Sequence, residues 1–176
     1  MKPEEARKYR RVAARINYLA QDRMDISVAA NILARSMARP RVGECKGIKR
    51  ALRYLSGAAR SVWKYAHQKE PDTLDVFSDS DWAGCVETRR STSGGIVYHG
   101  QHPISHWSKR QNNVALSSGE AELSGQVKAI MEVLGVKNAA TDMGMTRTAR
   151  CFGDSSAVQG ILTGKGVGKM KHLEVK

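Results

Sequence analysis

Acidic side chains recur in three short motifs of this chain: SDSDWAG at residues 78–84, SSGEAEL at 117–123 and CFGDSSAV at 151–158. Carboxylates drawn together from distant segments repel one another, and a divalent cation removes that cost. The pattern therefore implies a Mg²⁺ or Mn²⁺ site. Metal-dependent phosphodiester chemistry is the reaction class such a site serves.

Within the first motif, Asp79 and Asp81 follow the apolar residues Leu74, Val76 and Phe77, so they belong at a strand's end. Residues two apart share a face of a strand, and either acid could reach a metal. The ordinary alternative is an Asp-rich turn. In SSGEAEL the two acids are also two apart, but on a helix they project about 200° apart, so only one of them can face a shared site. Ser117 and Glu120 have the S-x-x-E spacing of a capping box, which occupies Glu120 with the backbone and leaves Glu122 as the better ligand. Asp154 ends an apolar run and precedes a helical one, a position that suits both capping and metal binding.

These acids need a scaffold of strands and helices. Residues 4–20 carry Val12, Ile16 and Leu19 among Arg7, Arg10, Arg11 and Arg15, which predicts a basic amphipathic helix. Ile26, Ala29, Ala30, Leu33 and Met37 predict a second helix over 25–37, closed by Pro40. A third is expected over 45–55, burying Ile48, Leu52 and Leu55. Its Lys46, Lys49, Arg50 and Arg53 either track phosphates or form a solvated face. From Ser61 the texture changes to short β-type runs at 62–66, 74–77, 94–98 and 103–107. A long helix over 117–143 would lay Leu123, Val127, Ile130, Met131 and Leu134 on the sheet. A strand at 148–152 and a helix at 155–162 follow. The expected fold is α/β, a mixed sheet with packed helices, preceded by a helical basic region, with the division at residues 1–60 and 61–176.

Charge is uneven along the 176 residues. The total is 29 Lys and Arg against 17 Asp and Glu, and residues 1–60 hold 15 of the basic and 5 of the acidic side chains. A positive arm of this kind favours polyanions. No run of eighteen apolar residues and no leader-like opening is present, and three widely spaced cysteines without a CxxC pair suit a reducing compartment, so an intracellular, unsecreted protein is expected, in cytoplasm or nucleus. Other constellations fail. GKGVGKM lacks the spacer and the Ser/Thr of a phosphate-binding loop. A zinc site from His99, His102, His106 and Cys85 is supported by neither spacing nor a Cys pair. Trp63, Trp82 and Trp107 suit packing better than base stacking. No Y-x-D-D-type polymerase pair occurs.

The run from Asp75 to Ile161, with SDSDWAG, TRRSTSGGIVYHG, PISHWSKRQNNVALSSGEAEL and FGDSSAVQ in order, resembles the ribonuclease H domain of copia-type LTR retrotransposon Pol polyproteins. Upstream, KYRRVAARINYLAQDRMDISVAANILARSMARP and KGIKRALRYLSG resemble the segment joining the polymerase to that domain, with Met24 standing where the family usually has Pro. The resemblance implies a ribonuclease H-like fold and places the catalytic, metal-binding acids at Asp79, Glu122 and Asp154. It alone chooses Asp79 over Asp81. It further implies two Mg²⁺ or Mn²⁺ ions roughly 4 Å apart and hydrolysis of the RNA strand of an RNA–DNA hybrid. The partners implied are that hybrid and the rest of the Pol polyprotein or its reverse transcriptase. A fourth carboxylate is expected beyond a K-H-I-[DE]-V-R segment similar to residues 171–175, so Glu174 is not expected to be that ligand, and the domain is expected to be incomplete at its C-terminus. The alternative is a truncated, catalytically weak fragment that only binds nucleic acid through its basic arm.

Overall fold

The structure, a computed structural model, describes residues 1–162; the Gly- and Lys-rich tail and residues 171–175 lie outside the described residues. Contacts divide the chain into two compact units between Lys64 and Tyr65.

The first unit is helical: α1 (Pro3–Leu19), α2 (Ser27–Arg35) and α3 (Cys45–Gly57). Pro3 opens α1, where its missing N–H costs nothing, and the Glu5 carboxylate accepts from the Lys2 amide at 3.0 Å. Tyr9, Ala13, Ile16, Ile26, Ala30, Leu33 and Ala51 form the core. The Tyr9 hydroxyl keeps its burial inexpensive by donating to the Leu33 carbonyl at 2.9 Å. Arg23 is buried and satisfied by a two-pronged bond to Asp25, at 2.9 and 2.6 Å. One expectation fails on α3: Ala51 takes the buried position, and Leu52 is exposed. The small side chain lets α3 approach its neighbours closely, which a leucine at that position would prevent.

The second unit is a four-stranded sheet with helices packed on it, a mixed α/β arrangement of ribonuclease H-like type. The strands β1 (Thr73–Asp81), β2 (Thr92–His99) and β3 (His102–Arg110) form an antiparallel meander. The long helix α4 (Ser118–Asp142) then crosses to β4 (Thr148–Phe152), and α5 (Ser156–Leu162) follows. The sheet order is β3-β2-β1-β4, and β4 lies parallel to β1. The β-run expected at 62–66 is not a strand: Val62, Trp63 and Tyr65 are exposed in an irregular stretch, and none of these residues joins the backbone pairing of the sheet.

The buried face of α4 also differs from expectation. Ala121, Gly125, Gln126, Ala129 and Val133 face inward, against Leu74, Val76 and Val97, whereas Val127, Met131 and Leu134 are exposed. Close approach explains the choice. A Cβ on Gly125 would stand 2.4 Å from the Ser80 hydroxyl oxygen, so α4 lies too near β1 for a larger residue. A stripe selected by bulk is rotated away from the one selected by fit.

Candidate metal centre

Asp79 lies near the end of β1, and Asp154 lies just past the end of β4. The parallel register pairs Phe77 with Phe152, so each acid stands two residues beyond the last paired position of its strand. Neighbouring strands lie about 4.8 Å apart, and side chains at matching positions come within reach of one ion. Glu122 arrives from the first turns of α4. One carboxylate oxygen from each of Asp79, Glu122 and Asp154 lies within 4.8 Å of the others, and no other group of three or more potential ligands occurs among the described residues.

The competing acids are engaged locally. The Asp81 carboxylate accepts from the Thr92 amide, its register partner on β2, and so fastens the start of that strand. The Ser117 hydroxyl caps α4 by accepting from the Glu120 amide at 3.2 Å. The Glu120 carboxylate turns back and accepts from Leu116 at 2.7 Å, one residue earlier than a standard capping box would place it. Glu122 remains for the cluster, and it bears the electrostatic strain there. Burial pushes its carboxyl above the ordinary range, the charges of Asp79 and Asp154 push the same way, and the Ser80 backbone offsets part of the effect.

A residue without an acidic signal organises the site. Gln126 follows Glu122 by one helical turn and is buried. Its side-chain oxygen accepts from the Ser78 hydroxyl at 3.1 Å and from the Cys151 thiol at 2.9 Å. A Cβ on Gly153 would stand 1.8 Å from the Gln126 amide nitrogen, so the backbone leading into Asp154 is drawn tight against it. All three ligand-bearing elements thus meet at one amide. A polar residue at i+4 from Glu122, on the face that must pack on the sheet, was the available signal. A second amide, Gln111, reinforces the entry to α4 by donating to Ser93 at 2.7 Å and to the Ala121 carbonyl at 2.8 Å. Beside this, Ser93, Lys109, Arg110, Gln111, Asn112, Asn113, Ser124 and Lys128 line a cleft of about 240 Å³.

His99 and His102 are fasteners. The His99 Nε2 lies 3.0 Å from the Pro71 carbonyl and accepts from Arg147, and the His102 Nδ1 lies 3.1 Å from the Gln68 amide. They are not gathered with Cys85. The Trp82 indole donates to the Ala115 carbonyl at 3.0 Å, which binds the loop before α4 to the end of β1. Among the described residues, no helix is long and apolar enough to cross a membrane.

Fold and site together define a mixed α/β domain with a three-carboxylate cluster at the carboxyl ends of two parallel strands. Comparison with known sequences places it further. The chain is 38% identical over 142 residues, 80% of its length, to the retrovirus-related Pol polyprotein from transposon RE1 of Arabidopsis thaliana. It is 36% identical over 137 residues to the corresponding polyprotein from transposon RE2 of the same plant. It is also 32% identical over 123 residues to secreted RxLR effector protein 161 of Plasmopara viticola, covering 86% of that protein. Over about four fifths of its length the chain is thus similar to retrovirus-related transposon Pol sequences. It spans about a tenth of the length of the two polyproteins, 10% and 9%. No protein-family model matches it, and no solved structure matches it.

Proposed function

We propose that the chain is the nuclease module of a retrotransposon Pol polyprotein, a metal-dependent endonuclease that hydrolyses the RNA strand of RNA–DNA hybrids. The observation that carries this reading is the convergence of Asp79, Glu122 and Asp154 within 4.8 Å in a chain similar to transposon Pol sequences over 80% of its length. The donor set fits Mg²⁺ or Mn²⁺: three hard carboxylate oxygens, and one acid whose pKa is raised by burial and by the charges of its two neighbours, which a cation would offset. Bound there, divalent ions would activate water and neutralise charge on the leaving 3′ oxygen.

The chain's own residues do the rest. Asp79 and Asp154 are presented by adjacent strands, so their spacing is set by the sheet and not by side-chain freedom. Glu122 is held by the cap of α4 and by Gln126 one turn later. The cleft beside α4 offers Lys109 and Arg110 to backbone phosphates, and Asn112 and Asn113 to sugar hydroxyls, which distinguish RNA from DNA.

Cleavage of a labelled RNA–DNA hybrid with Mg²⁺ or Mn²⁺ tests the reading. Product bearing a 5′ phosphate is expected from the wild-type chain and none from Asp79→Asn. Cutting that survives Asp79→Asn overturns the assignment. Binding of the hybrid without any cutting leaves the chain a nucleic-acid binder only.

A further inference from the structure

We infer that the exposed face of α3 is a binding site for the phosphate backbone of duplex nucleic acid. Lys46, Lys49, Arg50 and Arg53 follow the i, i+3, i+4, i+7 spacing that brings side chains to one side of a helix, and all four are exposed. The opposite side, with Ala51, Ile48 and Leu55, packs into the core of the first unit, so the cationic face is fixed in orientation. The four side chains line a concave space of about 270 Å³.

Among the described residues no ion pair joins any of the four to a carboxylate, and their spacing gathers them on one face of a single helix. Four unpaired cations within about 10 Å of helix repel one another, a cost that a polyanion relieves. That length also spans about three phosphates of one strand, at one per 3.4 Å of axis. The choice of nucleic acid over an anionic membrane rests on the proposed function and on the similarity to transposon Pol sequences. The α3 face belongs to the first unit, the carboxylate cluster to the second, and binding at α3 needs no divalent ion.

The test uses the full chain and a fluorescent RNA–DNA duplex in EDTA, so that its result is independent of cleavage. Affinity is measured by anisotropy across salt concentration for wild type, for Lys49→Gln with Arg50→Gln, and for Arg7→Gln with Arg11→Gln on α1. Helical circular dichroism checks that each variant is folded. The slope of log affinity against log salt is expected to flatten by about 2 in the α3 variant and to change little in the α1 variant. Equal flattening in both overturns the inference, because net charge alone would then explain binding. Tighter binding of the wild type to phosphatidylserine vesicles than to the duplex overturns it in favour of a lipid surface. Failed cleavage in Mg²⁺ with the α3 effect intact would count against the nuclease reading alone.

Discussion

The Gln126 side-chain oxygen accepts a hydrogen bond from the Cys151 thiol at 2.9 Å, which ties the middle of α4 to the strand that leads into Asp154. The same oxygen accepts from Ser78, the residue before Asp79. One uncharged amide therefore governs the relative positions of three charged ligands.

Gln126→Ala leaves the buried partners of that amide unsatisfied and should lower the unfolding free energy by about 1–3 kcal/mol. Urea denaturation measures the loss. Mn²⁺ binding, followed by the relaxation of water protons, should weaken in the same variant even under conditions where it is fully folded. Unchanged Mn²⁺ affinity would show that Gln126 has only a packing role.

Gly125→Ala tests the close approach of α4 to β1. The added Cβ would stand 2.4 Å from the Ser80 hydroxyl oxygen, which is itself held 2.9 Å from Ser93. Overpacking of this kind costs about 1–3 kcal/mol, whereas the gain in helix propensity is at most about 1 kcal/mol. A net loss of stability is expected in thermal denaturation; a stabilised variant would contradict the packing described.

The Glu122 carboxyl is raised above its ordinary value of 4.5 by burial and by the charges of Asp79 and Asp154. Its folded value exceeds its unfolded one, so its contribution to stability is full below the unfolded value and is lost as pH rises through the folded value. In chelator, the melting temperature of the wild type should fall across that interval. Glu122→Gln should flatten this dependence and should be the more stable protein at neutral pH. Adding Mg²⁺ should raise the wild-type melting temperature and leave Glu122→Gln nearly unmoved.

Asp25 behaves in the opposite sense. Its bonds to Arg23 hold its carboxyl down from 3.8 to about 2, with the Tyr54 hydroxyl assisting at 2.8 Å. A lowered folded value gives stability that is present above the unfolded value and lost as pH falls through the folded one, here between 3.8 and about 2. Asp25→Asn should destabilise the first unit at neutral pH and remove this acid transition, as read from amide signals of α1 and α2 by NMR. Persistence of the transition would assign it to another carboxylate.

Much of the architecture was legible in the residues. The helical spacing of residues 4–20, the apolar run 148–152 and the cap at Ser117 each correspond to an element with nearly the expected bounds, because local preference and tertiary packing agree there. The capping argument for Glu122 rested on spacing alone, and the structure finds Glu120 engaged by Leu116. Asp79 and Asp81 were indistinguishable by local chemistry. The family resemblance alone chose Asp79; in the structure the β1–β2 register, which sets Asp81 against Thr92, and the β1–β4 register, which brings Asp79 level with Asp154, separate them.

By itself, the sequence determined which residue types were available and in what order: acids on a strand, a helix and a strand, after a basic helical arm. The tertiary structure decided which of them meet. Strand register is a long-range property, invisible to periodicity, and it brought Asp79 and Asp154 level. The contact face of α4 was decided by closeness of fit, so Gly125, Ala129 and Gln126 turned inward and the bulkier Val127, Met131 and Leu134 turned out. Hydrophobicity ranks side chains one at a time, whereas packing selects the shape that lets two backbones approach.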